Sequence, residues 1–304
     1  MEISDLYSSI LENLQEGIYF VDNERKITFW NKGAELITGF TADEIIGRHC
    51  YDNILNHIDE DGNKLCLQGC PLHETLQDGK NRESSVYLHH KNGQRVKISA
   101  NITPIIDEKK IIGSVESFRE VSENKPVLFD ESDNYTKAEL RIIALHDQLT
   151  GIPNRRYAES FLNSRVNEYN ELGIEFGLIF ADIDNFGSFN NNYGHELGDK
   201  VLQVVSKTFL SATRKNDLVG RWGGEEFLII FPGINESDLI KISEKIRMLV
   251  ENSILRENEQ NLKVTISIGA TMIRSGDNSH SIVNRADDLM YQSKQKGKNR
   301  STFG

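Results

Sequence analysis

A chain of 304 residues with 38% hydrophobic and 27% charged residues has the balance of a soluble globular protein, and its length favours two domains over one. The formal net charge of −11 excludes a broad phosphate-facing surface, so no nucleic acid polymer is expected as a partner. No window approaches roughly 18 consecutive apolar residues, so no membrane span is expected, and the acidic, polar start MEISDLYSSILENLQEG does not read as a signal peptide. A cytoplasmic location follows, and the three cysteines, clustered between residues 50 and 70, do not read as a disulfide framework.

Residues 6–14 predict a helix with Leu6, Ile10 and Leu14 on one face. GIYFVDNERKITFWN then predicts strand, polar turn, strand. AELITGFTADEIIG has a helical pattern broken by Gly39 and ended by Gly47, and a polar stretch with the cysteines follows. VYLHHKNGQRVKISANI predicts a hairpin with a type I′ turn at Asn92-Gly93, and KIIGSVESFREV one more strand. Five short strands, with small helices between the second and third, make a first α+β unit with an antiparallel sheet. Residues 122–134 are polar and acidic with Pro126, and predict a linker. A coupling helix is expected from Tyr135, with Leu140, Ile143 and Ala144 on one side, leading into DQLTGIPNRR.

Beyond it, strands and helices mix. A helix is expected over 155–171, a strand over FGLIFADID and a helix over ELGDKVLQVVSKTFLSAT, which buries Leu197, Val201, Val205 and Phe209. A hairpin turns at Gly223-Gly224, and SDLIKISEKIRMLVENS predicts another helix. KVTISIGATMI alternates as a strand, and SIVNRADDLMYQSKQK predicts a last helix capped by Gly297. The fold class is α+β in two domains, the second a mixed sheet with surrounding helices.

Four features of this second half carry chemistry. FADID ends a buried strand with Asp182 and Asp184 two apart, on one side of it. RWGGEEF puts Glu225 and Glu226 at a hairpin where glycines let a ligand approach the backbone. FNNNYGHELGD opens a helix after the acidic strand, and Lys294 and Lys298 lie four apart at the end of the last helix. Carboxylates on neighbouring strands with lysines nearby suit metal-assisted phosphoryl transfer, with Mg2+ (or Mn2+) held by oxygen ligands.

DQLTGIPNRR, DIDNFGSFNNNYGHELGD, RKNDLVGRWGGEEF and ADDLMYQSKQKGKNR resemble, in order, the motifs of the GGDEF family of diguanylate cyclases, over about residues 145–304. The resemblance implies a fold like the polymerase palm and the condensation of two GTP into cyclic di-GMP with release of two pyrophosphates. It also implies a homodimer, because each domain holds one GTP. Carried over, Asp182, Glu225 and the Ile183 carbonyl hold the metal, Glu226 assists, and Glu225 helps deprotonate the 3′-hydroxyl. Asn190 and Asp199 read guanine, the backbone near Asn185 and Phe186 cradles phosphate, and Lys294 and Lys298 contact it. Arg214 and Asp217 of RKND match an RxxD site through which cyclic di-GMP inhibits its own synthesis. Gly187 stands where the family often has a lysine. This keeps open the alternative of a weak or inactive domain that only binds GTP or cyclic di-GMP.

Residues 5–122 resemble a PAS domain, a scaffold whose sequence does not name its ligand. Cys50 follows GRH as the adduct cysteine does in the flavin-binding subset, but the continuation YDNIL departs from that subset. His49, Cys50, Cys66, Cys70 and His73 form a loose cluster. It reads as a metal or iron–sulfur site, a redox switch, or three structural thiols. The expected organisation is a PAS sensor at 1–122, a linker and coupling helix at 123–146, and a cyclase domain at 147–304.

Overall fold

The computed structural model describes residues 3–52, 54–128, 136, 142–258 and 260–304. The chain divides into two compact units, Met1–Val121 and Ser122–Gly304. Most of the expected coupling helix lies outside the described residues, and residues 142–145 are helical.

The first unit is a five-stranded antiparallel sheet in the order β2-β1-β5-β4-β3. Its strands are β1 (Gly17–Asp22), β2 (Ile27–Trp30), β3 (Arg82–His89), β4 (Arg95–Asp107) and β5 (Lys110–Glu120). Helix α1 (Ile3–Asn13) precedes the sheet, and α2 (Lys32–Thr38), α3 (Ala42–Ile45) and α4 (Pro71–Asp78) fall between β2 and β3. The buried Asn31 joins these pieces. Its Oδ1 accepts from Ile18 N and Ala34 N, so it caps α2 while gripping β1. Its Nδ2 donates to Leu11 O and Glu16 O, which ties down the chain after α1.

The Asn92-Gly93 turn is not the two-residue type I′ turn that the sequence suggests. The strands pair up to His89↔Arg95, which leaves a loop over 90–94. Only Gly93 has positive φ, at 105°, and His90 N donates to Gln94 O at 3.0 Å. Gln94 is buried, and its burial favours the longer loop over the tight turn.

The second unit holds a mixed sheet in the order β12-β11-β6-β8-β7. Its strands are β6 (Phe176–Ile183), β7 (Leu218–Arg221), β8 (Glu226–Pro232), β11 (Ile266–Met272) and β12 (Arg300–Phe303). A separate ribbon pairs β9 (Leu255–Glu257) with β10 (Gln260–Leu262). The β11–β12 pair is parallel and the other ladders are antiparallel. The helices are α5 (Arg155–Leu172), α6 (Phe186–Tyr193), α7 (His195–Ala212), α8 (Glu236–Glu251) and α9 (Ser279–Gln295).

Every residue of β6 is buried, because both faces of the strand are covered. Ile179, Ala181 and Ile183 pack with the apolar stripes of α7 and α8. Phe176, Leu178 and Phe180 pack with α5 and α9. β8 alternates the same way, with Phe227, Ile229 and Phe231 on the first face and Leu228 and Ile230 on the second. By this alternation Asp182 and Glu226 belong to the α5/α9 face.

Residues 122–127 do not run free as a linker. They open the second unit, and Ser122, Glu123, Asn124 and Val127 hydrogen-bond within it, at the end of α7, in the turn that follows and at Gly151. The polar composition that suggests a linker supplies the donors and acceptors for this docking.

Candidate active site

The pairing of β6 with β8 sets the site. In this register Asp182 lies directly opposite Glu226. The sequence expectation shared the metal between Asp182 and Glu225. The strand register places Glu226 opposite Asp182, and Glu225 precedes β8, its carbonyl accepting from Ile183 N at 3.3 Å; the charges of both glutamates act on Asp182. Lys294, on α9, brings its ammonium to 2.7 Å from Asp182 Oδ1.

The carboxylates crowd one another in a partly desolvated place. Burial pushes the Asp182 carboxyl up to about 6, and Glu225 and Glu226 add to this against the pull of Lys294. Burial also raises Glu226, with Asp287 and Glu225 as like-charged neighbours. Among the described residues no three His, Cys, Asp or Glu side chains close into a ready-made metal cage.

Asp184 has a different task. Its buried carboxylate accepts from Thr265 Oγ1 at 2.7 Å, Ser267 Oγ at 2.7 Å and Asn299 N at 2.9 Å. It binds the end of β6 to β11 and to the chain entering β12. Beside it Asn185 takes a left-handed φ of 58° as the N-cap of α6, and Lys298 Nζ donates to Asn185 Oδ1. Lys298 is thereby held at the start of α6, next to the backbone N–H groups expected to cradle phosphate.

Asn190 and Asp199 come from successive helices, α6 and α7. Asn190 Oδ1 is buried without a hydrogen-bond partner among the described residues. A Cβ at Gly198 would lie 2.0 Å from it, so Gly198 lets the Asn190 side chain lie against the first turn of α7. Asp199, the next residue, is exposed. Gly187 faces open space in the first turn of α6.

The hairpin is braced by two residues that the sequence reading passed over. Arg221 donates from Nε and Nη2 to Gly224 O, at 3.0 and 2.8 Å. Its Nη1 lies 3.1 Å from both oxygens of Asp147. Asp147 Oδ1 also accepts from Thr150 N and Oγ1, which folds the DQLTG loop around it. Both residues stand inside quoted motifs, but their 74-residue separation carries no local signal. A Cβ at Gly224 would meet nothing within 4 Å, so the space above the hairpin is open.

Arg214 and Asp217 share a turn between α7 and β7. Asp217 Oδ2 accepts from Arg214 N at 2.7 Å, and Asp217 N donates to Arg214 O at 3.0 Å. Arg214 is exposed. Burial raises the Asp217 carboxyl against the pull of the Arg214 N–H.

In the first unit the five-residue Cys/His cluster is not assembled. Cys50, Cys66 and Cys70 are free thiols lining one small cavity with Tyr19, His57 and Glu116. His49 stacks on Tyr51 beside Asp52, and His73 pairs with Gln77 on the exposed side of α4. The histidines turn outward because their polar partners lie at the surface. Burial pushes the thiols up, Cys66 to about 11, which keeps them protonated at neutral pH. Tyr19 donates to Glu116 at 2.7 Å, and burial pushes the Glu116 carboxyl up to about 7.

No helix among the described residues is long and apolar enough to cross a membrane. The model of the family "Diguanylate cyclase, GGDEF domain" matches residues 144–300, and a PAS domain model matches residues 15–123. The response regulator PleD of Caulobacter vibrioides is 39% identical over 160 residues, 52% of this chain and 35% of its own length. The probable diguanylate cyclase DgcE of Escherichia coli is 29% identical over 296 residues, 96% of this chain but 25% of its own. The chain thus spans about a third or less of the length of these curated relatives. A crystal structure of the coiled coil and GGDEF domain of DgcB from Caulobacter crescentus, in complex with c-di-GMP, aligns with a TM-score of 0.53 and 32% identity. It covers 55% of this chain and 89% of that one. With half of its length matched by that family model, this chain belongs to the diguanylate cyclase GGDEF family, and it carries a PAS domain ahead of the GGDEF domain.

Proposed function

We propose that this protein is a PAS-regulated diguanylate cyclase that condenses two GTP into cyclic di-GMP and two pyrophosphates. The observation that carries the reading is the Asp182–Glu226 pair across β6 and β8, with Lys294 beside it. Asp182, Glu225 and the Ile183 carbonyl would hold a divalent metal, Mg2+ or Mn2+, with Glu226 assisting. When bound, such a metal neutralises phosphate charge and acidifies an attacking hydroxyl. Lys294 and Lys298 offer positive charge to the triphosphate, and the N–H groups at Asn185 and Phe186 hydrogen-bond to it. Asn190 and Asp199 accept and donate along the guanine edge, where a carboxylate matches the N1–H and N2–H₂ donors that adenine lacks. Glu225, at the open hairpin, accepts the 3′-hydroxyl proton.

Each domain offers one GTP site, so the reaction calls for two chains face to face. Arg214 and Asp217 form a product site, Arg214 gripping phosphate and Asp217 accepting from guanine. The protein is incubated with GTP and Mg2+ and its products are separated. Wild type is expected to make cyclic di-GMP, and Glu226→Gln and Glu225→Gln to make little. Arg214→Ala is expected to accumulate more product than wild type.

The second reading, a GTP or cyclic di-GMP receptor without turnover, draws support from the missing lysine at Gly187. It would be favoured by tight product binding with no cyclic di-GMP formed by wild type.

A further inference from the structure

The turn that carries Arg214 and Asp217 is completed by residues that precede the cyclase motifs. Asn124 Nδ2 donates to Thr213 Oγ1 at 3.1 Å and to Arg214 O at 2.6 Å. Lys215 N donates to Glu123 Oε2 at 3.2 Å. From inside the turn, the two Arg214–Asp217 bonds hold it shut. The backbone that aims Arg214 is therefore shared between the turn and a segment outside the motif.

The same segment reaches further. Val127 N donates to Gly151 O at 2.9 Å. Gly151 has a φ of 70°, and a Cβ there would stand 2.3 Å from Val127 O, so this approach requires glycine. Gly151 N donates to Asp147 O, in the loop whose carboxylate grips Arg221.

We propose that Glu123 and Asn124 are positioning residues of the product site, so that docking of residues 122–127 and binding of cyclic di-GMP favour each other. This rests on reading Arg214 and Asp217 as that site. An exposed arginine binds phosphate tightly only from a backbone already held in the bound shape, because ordering it during binding costs affinity. The coupling is reciprocal: whatever lifts the segment weakens product binding, and product holds the segment down. A signal travelling along the chain from the PAS domain thus has a direct handle on product inhibition, separate from Asp182 and Glu226.

The test uses the full chain and cyclic di-GMP, with calorimetric titration and initial rates on GTP at low conversion. The double variant Glu123→Ala/Asn124→Ala is expected to bind cyclic di-GMP about tenfold more weakly, as for the loss of ordinary hydrogen bonds. Its kcat and its KM for GTP are expected to stay at wild-type values. Glu123→Gln, which keeps the acceptor, should bind like wild type. Amide exchange at residues 123–125 and Val127 should slow when cyclic di-GMP is added to wild type. Unchanged product affinity in the double variant, with binding abolished in Arg214→Ala, overturns the proposal and leaves the product site standing. Unchanged affinity in Arg214→Ala, or no binding by wild type, overturns both. A parallel loss of GTP affinity in the double variant makes the segment a general scaffold and also overturns the proposal.

Discussion

Replacing Gly198 with alanine separates folding from recognition. An ideal Cβ at this position lies 2.0 Å from Asn190 Oδ1, 3.0 Å from its Cγ and 3.3 Å from Phe186 Cζ. Gly198 lies in the first turn of α7 without a positive φ, so alanine gains roughly 0.8–1 kcal/mol of helix propensity there. The nearest atom is the tip of a side chain, and moving Asn190 off its rotamer costs about 0.5–1.5 kcal/mol. These effects nearly cancel, so stability should change by less than about 1 kcal/mol. Recognition has no such compensation. An Asn190 swung away from the guanine edge forfeits a hydrogen bond worth about 0.5–1.5 kcal/mol, a rise in KM for GTP of roughly 2- to 13-fold. Steady-state rates on GTP, with thermal melts of the same preparations, measure both quantities. An unchanged KM with a normal melt refutes Asn190 as a base reader. A melting temperature lowered by more than about 4 °C refutes the cancellation.

Three further changes probe other parts of the molecule. Arg221→Lys keeps the charge but loses the fork that spans Asp147 and Gly224 O. It should cut kcat about tenfold, the equivalent of one charge-assisted hydrogen bond, with KM for GTP nearly constant; a wild-type kcat refutes the brace. Gly187→Lys points a cation into open space beside the proposed phosphate cradle, and should lower KM for GTP several-fold (about 3-fold for a charge at a helix N-terminal site in water). Glu116 holds its proton more tightly when folded, at about 7 against an ordinary 4.5. Its contribution to stability is therefore full below pH 4.5 and lost as pH rises towards 7, by up to about 3 kcal/mol. Glu116→Gln should flatten this slope in the unfolding transition of the first unit. That transition can be followed by Trp30 fluorescence in a Trp222→Phe background, and a slope that persists assigns the effect to another group.

Much of the architecture was readable because both faces of the core strands announce themselves. FGLIFA is apolar throughout since helices cover both sides of β6, and the five strands of the first unit stand out by alternation and turn residues. What escaped reading was pairing. Periodicity says which way Asp182 faces, but only the long-range register decides that Glu226 opposes it. The Arg221–Asp147 contact is of the same kind, as is the contact between Asn190 and Gly198 across two helices. Local signals also misled where burial intervened. Asn92-Gly93 is a strong turn dipeptide, yet the buried Gln94 pairs with His90 and lengthens the loop. His49 and His73 stood near the cysteines in sequence, but their partners at the surface turned them away.

The strand order β12-β11-β6-β8-β7 also bears on how the protein is born. Both neighbours of β6 lie downstream of it, and Asp184 at its end waits for Thr265, Ser267 and Asn299. A ribosome therefore releases the most apolar strand of the second unit, with its acidic end, well before any partner strand exists. Because domains fold as units during synthesis, the first unit has its whole sheet available while β6 is still emerging. Nascent chains stalled before β8 should expose β6 to chaperones, and Asp182 should meet Glu226 only once β8 has cleared the exit tunnel, while Asp184 waits longer for Asn299.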